Sequence, residues 1–131
     1  MNVRDYFTGI ERGIIQNRLG FLDQPATIKI IAERYWVFRA RIIFWNGSHL
    51  TIDETVDTTQ GYPRLIEYAY TYVKDGVHIF RYDNAPHYPQ LDTFPHPKHV
   101  GPDETPEAAE PPTLNQIFRE IEMILAANQE L

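Results

Sequence analysis

The chain has 131 residues, 43% of them apolar and 13% aromatic, carries a net charge of −6 and contains no cysteine. This length and composition fit one domain with a buried core and exclude a disordered or fibrous chain, disulfides and thiolate metal sites. Lys/Arg against Asp/Glu runs seven to four over residues 1–46, four to seven over 47–99 and one to seven over 100–131, which rules out a broad basic surface but allows a basic patch in the first half.

The start, Met1-Asn-Val-Arg-Asp5, has no apolar leader core, and no apolar run approaches membrane-spanning length. A soluble cytoplasmic protein with no membrane partner is therefore expected. Val3, Phe7, Ile10 and Ile14 recur at helical spacing and predict a first helix, weakened by Gly9 and Gly13, with Gly20 as its stop. Pro25 breaks the chain. From Thr27 to Trp45 the residues are β-branched and aromatic, which predicts one long strand or two short ones. Asn46-Gly47 predicts a hairpin turn into a strand from Leu50 to Val56. After a loop over Thr58 to Pro63, Arg64 to Lys74 and Val77 to Tyr82 flank Asp75-Gly76 and predict a second hairpin.

If both turns are two-residue loops, Arg39 lies opposite Glu54 and Arg41 opposite Ile52. Glu54 interrupts the apolar row Leu50, Ile52, Val56, and an ion pair with Arg39 would explain it. In the second hairpin Tyr68, Tyr70, Tyr72, Val77, Ile79, Arg81 and Asp83 would share one face, with His78, Phe80 and Tyr82 on the other. One sheet face would then gather Arg39, Arg41, Glu54, Arg81 and the tyrosines. A one-residue slip inverts this arrangement. The tyrosines read as sheet packing before they read as a base-stacking platform.

Residues 78–99 hold four of the five histidines and four prolines. Proline fixes φ and disfavours helix at the residue before it, so the stretch reads as a stiff, extended loop. His87, His96 and His99 bring groups that titrate near neutrality, and Lys98 and Arg81 bring cations for an anion. That is the set metal-independent RNA cleavage needs: a base for the 2′-hydroxyl, an acid for the leaving oxygen and a cation for the phosphorane. The plainer reading is an exposed loop whose histidines cap turns and pair with carboxylates. His96-x-x-His99, with His87 or Asp83, also has a metal-site spacing. Lys98 between the histidines opposes a cation, so metal binding ranks lower, and no cofactor is expected. Arg81 can clamp a phosphate or pair with Asp83 or Glu54. Asn84 reads as an Asx turn.

Residues 101–112 form an acidic, proline-rich linker. Thr113 and Gln116 make a capping box, and Leu114, Ile117, Phe118, Ile121, Ile124 and Leu125 form one apolar stripe, predicting an amphipathic C-terminal helix. The expected fold is α+β in a single domain, residues 1–131: an antiparallel sheet of four or five strands, built on two hairpins, with an N-terminal and a C-terminal helix packed on it.

Phe80-Arg-Tyr-Asp-Asn-Ala-Pro-His87, Thr93-Phe-Pro-His96-Pro-Lys-His99 and Trp45-Asn-Gly-Ser-His-Leu-Thr-Ile-Asp-Glu54 resemble the TumE-type toxin family of prokaryotic toxin–antitoxin modules, from about Arg39 to Val100. Glu54, Arg81, Tyr82, Asp83, Asn84, His87, His96, Lys98 and His99 match that pattern. Tyr88 and Pro97 stand where members often have a further histidine, which weighs against an all-histidine metal site. The resemblance implies a toxin acting on nucleic acid, with a small cognate antitoxin as partner. The expected activity is metal-independent RNA cleavage. His87, His96, His99, Glu54 and Lys98 would be catalytic, and Arg81, Tyr82, Asp83, Asn84, Arg39 and Arg41 would bind substrate. The alternatives are a non-enzymatic module, docking an antitoxin or a second copy through its rigid loop and final helix, and a metal-dependent hydrolase.

Overall fold

The computed structural model describes residues 2–84 and 97–129. His87 and His96 lie outside them. Helix α1 (Val3–Asn17) starts where the Asn2 side chain accepts a hydrogen bond from the Asp5 amide, at 2.8 Å, satisfying a donor the first turn would leave orphaned. It ends at Arg18, which adopts a left-handed conformation with φ 63°. The stop thus falls two residues before Gly20, which opens strand β1 (Gly20–Leu22) instead. A β-carbon on Gly20 would lie 2.5 Å from the Ile43 carbonyl oxygen, so only glycine lets β1 approach its neighbour this closely.

The other strands are β2 (Thr27–Ile31), β3 (Tyr35–Phe44), β4 (His49–Asp57), β5 (Arg64–Lys74), β6 (Val77–Asp83), β7 (Pro97–Val100) and β8 (Thr105–Ala108), followed by helix α2 (Leu114–Gln129). Among the described residues eight strands form one antiparallel sheet in the order β1-β3-β4-β5-β6-β7-β8, with β2 also on β3. The α+β class stands, but the count exceeds the four or five expected. The added strands β1, β7 and β8 have three or four residues each, too short for alternation to register as a signal. β7 corrects the reading of the histidine-rich stretch beyond Tyr82 as loop up to His99, and β8 lies within the acidic, proline-rich stretch.

Both helices cover the same face. Phe7 of α1 stacks on Phe38 of β3 with ring centroids 5.1 Å apart. Ile117, Phe118, Ile121 and Leu125 of α2 join Ile42, Leu50, Ile52 and Tyr72 in the buried core. Thr113 and Gln116 cap α2 reciprocally, at 2.9 and 3.1 Å, as the capping box predicts. No helix among the described residues is long and apolar enough to cross a membrane.

Two local irregularities decide which side chains face the helices. The first hairpin has a three-residue loop, Trp45 to Gly47: the Phe44 amide donates to the Ser48 carbonyl at 2.9 Å, the Gly47 amide donates to the Phe44 carbonyl at 3.0 Å, and Gly47 has φ 83°. Arg39 therefore pairs with Asp53 and Arg41 with Thr51, one residue away from the expected register. The second hairpin does use the two-residue Asp75-Gly76 turn, with φ 53° and 75°. Its register then shifts, from Val73 opposite His78 to Tyr72 opposite Phe80, and Ile79 is the extra residue. Beyond that bulge Tyr70 faces Tyr82 and Ala69 faces Asp83. Arg81 and Asp83 consequently lie on the opposite face from Tyr68, Tyr70 and Tyr72, not with them.

Candidate functional site on the open face of the sheet

The face turned away from the helices is polar. Arg39, Asp53, Ala69 and Asp83 align across β3 to β6, and beside them Arg41, Thr51, Thr71, Arg81 and His99 align across β3 to β7. The row is fixed by strand pairing, so its members are held by rigid elements. Asp83 is its most enclosed member, with a side chain only 4% exposed, and Oδ2 lies 3.0 Å from Arg81 Nε and 3.5 Å from His99 Nε2. The other imidazole nitrogen, Nδ1, is 3.4 Å from the Glu104 carbonyl oxygen. A carboxylate thus lies beside one ring nitrogen and a carbonyl beside the other. Asp83 Oδ1 has no hydrogen-bond partner among the described residues.

Arg81 and Asp83 line a cleft of about 300 Å³ together with Asp53, Thr55, Glu67 and Asn84, while His99 lies behind Asp83 and outside that lining. Asp53 sits between two arginines. Burial raises its carboxyl pKa, and the Arg39 and Arg81 guanidiniums offset this only in part. Arg39 Nε is 3.5 Å from Asp53, and Arg41 Nε is 3.8 Å from Asp23. Next to Arg41, His49 is held below its usual range by burial and by that guanidinium, while Asp23 opposes the shift. Asn84 closes the cleft end of the sheet. Its Oδ1 accepts from the Tyr68 amide at 2.9 Å and its Nδ2 donates to the Ile66 carbonyl at 2.8 Å, bridging β5 where its pairing to β4 also slips by one residue.

Three of the sequence-predicted site residues go to the helix-covered face. Glu54, 3% exposed, pairs with no arginine. It accepts from the Tyr6 hydroxyl at 2.5 Å and the Tyr70 hydroxyl at 2.8 Å. Burial first, and then the carboxylate, push both phenol pKa values up. Tyr82 donates to Glu120 at 2.8 Å, and the Lys98 ammonium pairs with the same Glu120. Lys98 also lies over the Tyr82 and Phe80 rings, at 5.1 and 5.4 Å. Burial alone would lower its pKa, but Glu120 and Tyr82 together raise it.

The structure thus brings Arg39, Arg41, Arg81, Asp83 and His99 onto one face and separates them from Glu54, Tyr82 and Lys98. Asp53 and Glu120 are the residues sequence reasoning missed. Asp53 carried a signal, since period two requires one of two adjacent acids to face away from the core. Glu120 carried one as well, flanking the apolar stripe between Ile117 and Ile124. Among the described residues no group of three or more His, Cys, Asp or Glu side chains is placed to hold a metal ion.

A family model described as Toxin TumE matches residues 11–127. No curated protein and no solved structure matches the chain.

Proposed function

This chain belongs to the TumE toxin family, the toxin side of toxin–antitoxin systems with a cognate antitoxin as partner, and we propose that its toxicity is metal-independent RNA cleavage on the open face of the sheet. The observation that carries the reading is the Arg81–Asp83–His99 network, an enclosed carboxylate that bridges a guanidinium and an imidazole beside a cleft. In this reading Arg81, with Arg39 and Arg41, binds phosphate oxygens. Asp83 is a positioning residue for both neighbours, and His99 transfers a proton. His87 and His96 follow Asn84 and precede Pro97 in the chain, so one of them is proposed as the second proton-transfer group. Glu54, Tyr82 and Lys98 are then assigned to holding the helices on the sheet.

The proposed step balances without a co-reactant. The 2′-oxygen bonds to phosphorus while its proton passes to one imidazole. The bond from phosphorus to the 5′-oxygen breaks, and the second imidazole protonates that oxygen. A 2′,3′-cyclic phosphate and a 5′-hydroxyl result. General acid–base groups of this kind contribute about 10²–10⁴ in rate.

Inducible expression tests it. Wild type should arrest growth with loss of total RNA, and His99→Ala and Asp83→Asn should lose roughly a hundredfold or more of the activity. Cleavage in vitro should be indifferent to chelator. A His99→Ala protein that folds, judged by circular dichroism, and stays fully toxic overturns the reading. So does growth arrest with RNA intact, which points instead to a non-enzymatic binding module.

A further inference from the structure

The two edges of the sheet are built differently. At one end β8 has four residues and carries Pro106 and Glu107, a short, charged and proline-marked edge of the kind that refuses further strands. At the other end every residue of β2 is exposed, and β2 pairs only with β3 among the described residues. Ile28, Ile30 and Ile31 are 41%, 51% and 45% exposed. An apolar strand of high β-propensity with one side unpaired is a template for strand addition. Among the described residues one edge is closed and the other is left open.

We propose that β2 is the docking edge for an extended segment of a protein partner, apolar on one face and acidic on the other. Ile28 and Ile30 lie opposite Phe38 and Trp36, so they point to the helix side and would meet the partner's apolar residues. Lys29 points to the open face, is exposed, and has no ion-pair partner among the described residues. Arg34, in the turn after β2, adds a second exposed cation. Charge decides between occupants. A second copy, related by a two-fold axis in any register centred on the strand, sets its Lys29 directly or diagonally against the first, which is unfavourable. An acidic strand answers the same cations favourably. The inference draws on family membership for the existence of a protein partner, the cognate antitoxin, and not on the nuclease reading.

The test uses the full chain with its cognate antitoxin. Hydrogen exchange read by mass spectrometry should show the amides of residues 27–31 slowing at least tenfold in the complex. Lys29→Glu and Ile30→Lys should each weaken the complex tenfold or more, while Met123→Lys, on the exposed side of α2, should leave it within twofold. Lys29 is exposed and lies outside the buried core, so Lys29→Glu decides if Ile30→Lys fails to fold. Unchanged affinity in Lys29→Glu overturns the proposal. Protection confined to the groove between α1 and α2 also overturns it, as does a dimer of the chain alone with residues 27–31 protected. Every readout here is binding, so a failed nuclease assay leaves the result standing.

Discussion

Two neighbouring acids, Asp53 and Glu54, show how much one position decides. Period two sends Asp53 to the arginines of the open face and Glu54 under α1. A buried carboxylate is tolerated only when its oxygens are satisfied, and Tyr6 and Tyr70 each satisfy one. Glu54→Leu should therefore destabilise the fold by about 3 kcal/mol, because it strands the buried Tyr70 hydroxyl and the partly buried Tyr6 hydroxyl. The triple variant that adds Tyr6→Phe and Tyr70→Phe should recover part of that loss, since removing both ends of a buried bond costs less than removing one. Urea unfolding midpoints measure both. A Glu54→Leu protein as stable as wild type would show that the cluster does not clamp α1.

At the scale of elements, the two helices and both hairpins were legible, because their apolar periods are long and their turns carry Asn-Gly and Asp-Gly. The turn register was not. Asn46-Gly47 serves a two-residue loop and the observed three-residue loop equally well, and only the second puts Arg39 against Asp53. Nor does any residue type announce the bulge at Ile79, yet that one residue moves Arg81 and Asp83 out of the tyrosine face. Of the candidate site, the composition of the Arg81–Asp83–His99 network was legible and its separation from Glu54 and Lys98 was not. Gly20 was read as a helix stop although its role is contact with β3. Gly20→Ala should cost about 2 kcal/mol, since the new methyl group meets the Ile43 carbonyl rather than a side chain that can swing away. Thermal unfolding tests this, and an unchanged midpoint would mean that β1 is free to shift.

For the whole molecule, helices cover one face of the sheet and leave the other open, the face on which RNA recognition is proposed. That face holds Arg39, Arg41 and Arg81 against Asp53, Asp83 and Glu67, on a chain whose net charge is −6. In the proposed reading, attraction to polyanions is therefore local. If three arginines each neutralise one phosphate, the logarithm of RNA affinity should fall with the logarithm of salt at a slope of about −2, from roughly −0.7 per contact on single strands. Filter binding or anisotropy across a salt series measures it. A slope steeper than about −4 would require a basic surface elsewhere.

The unequal edges of the sheet also bear on polymerisation. Fibre growth by strand stacking needs a donor edge and an acceptor edge on every unit, so that each addition regenerates the site it consumed. Here β2 can accept a strand, but Pro106 and Glu107 make β8 a poor surface to offer in return. Addition at β2 is a terminating event, and a chain that leaves three isoleucines on an open edge can still remain a discrete particle.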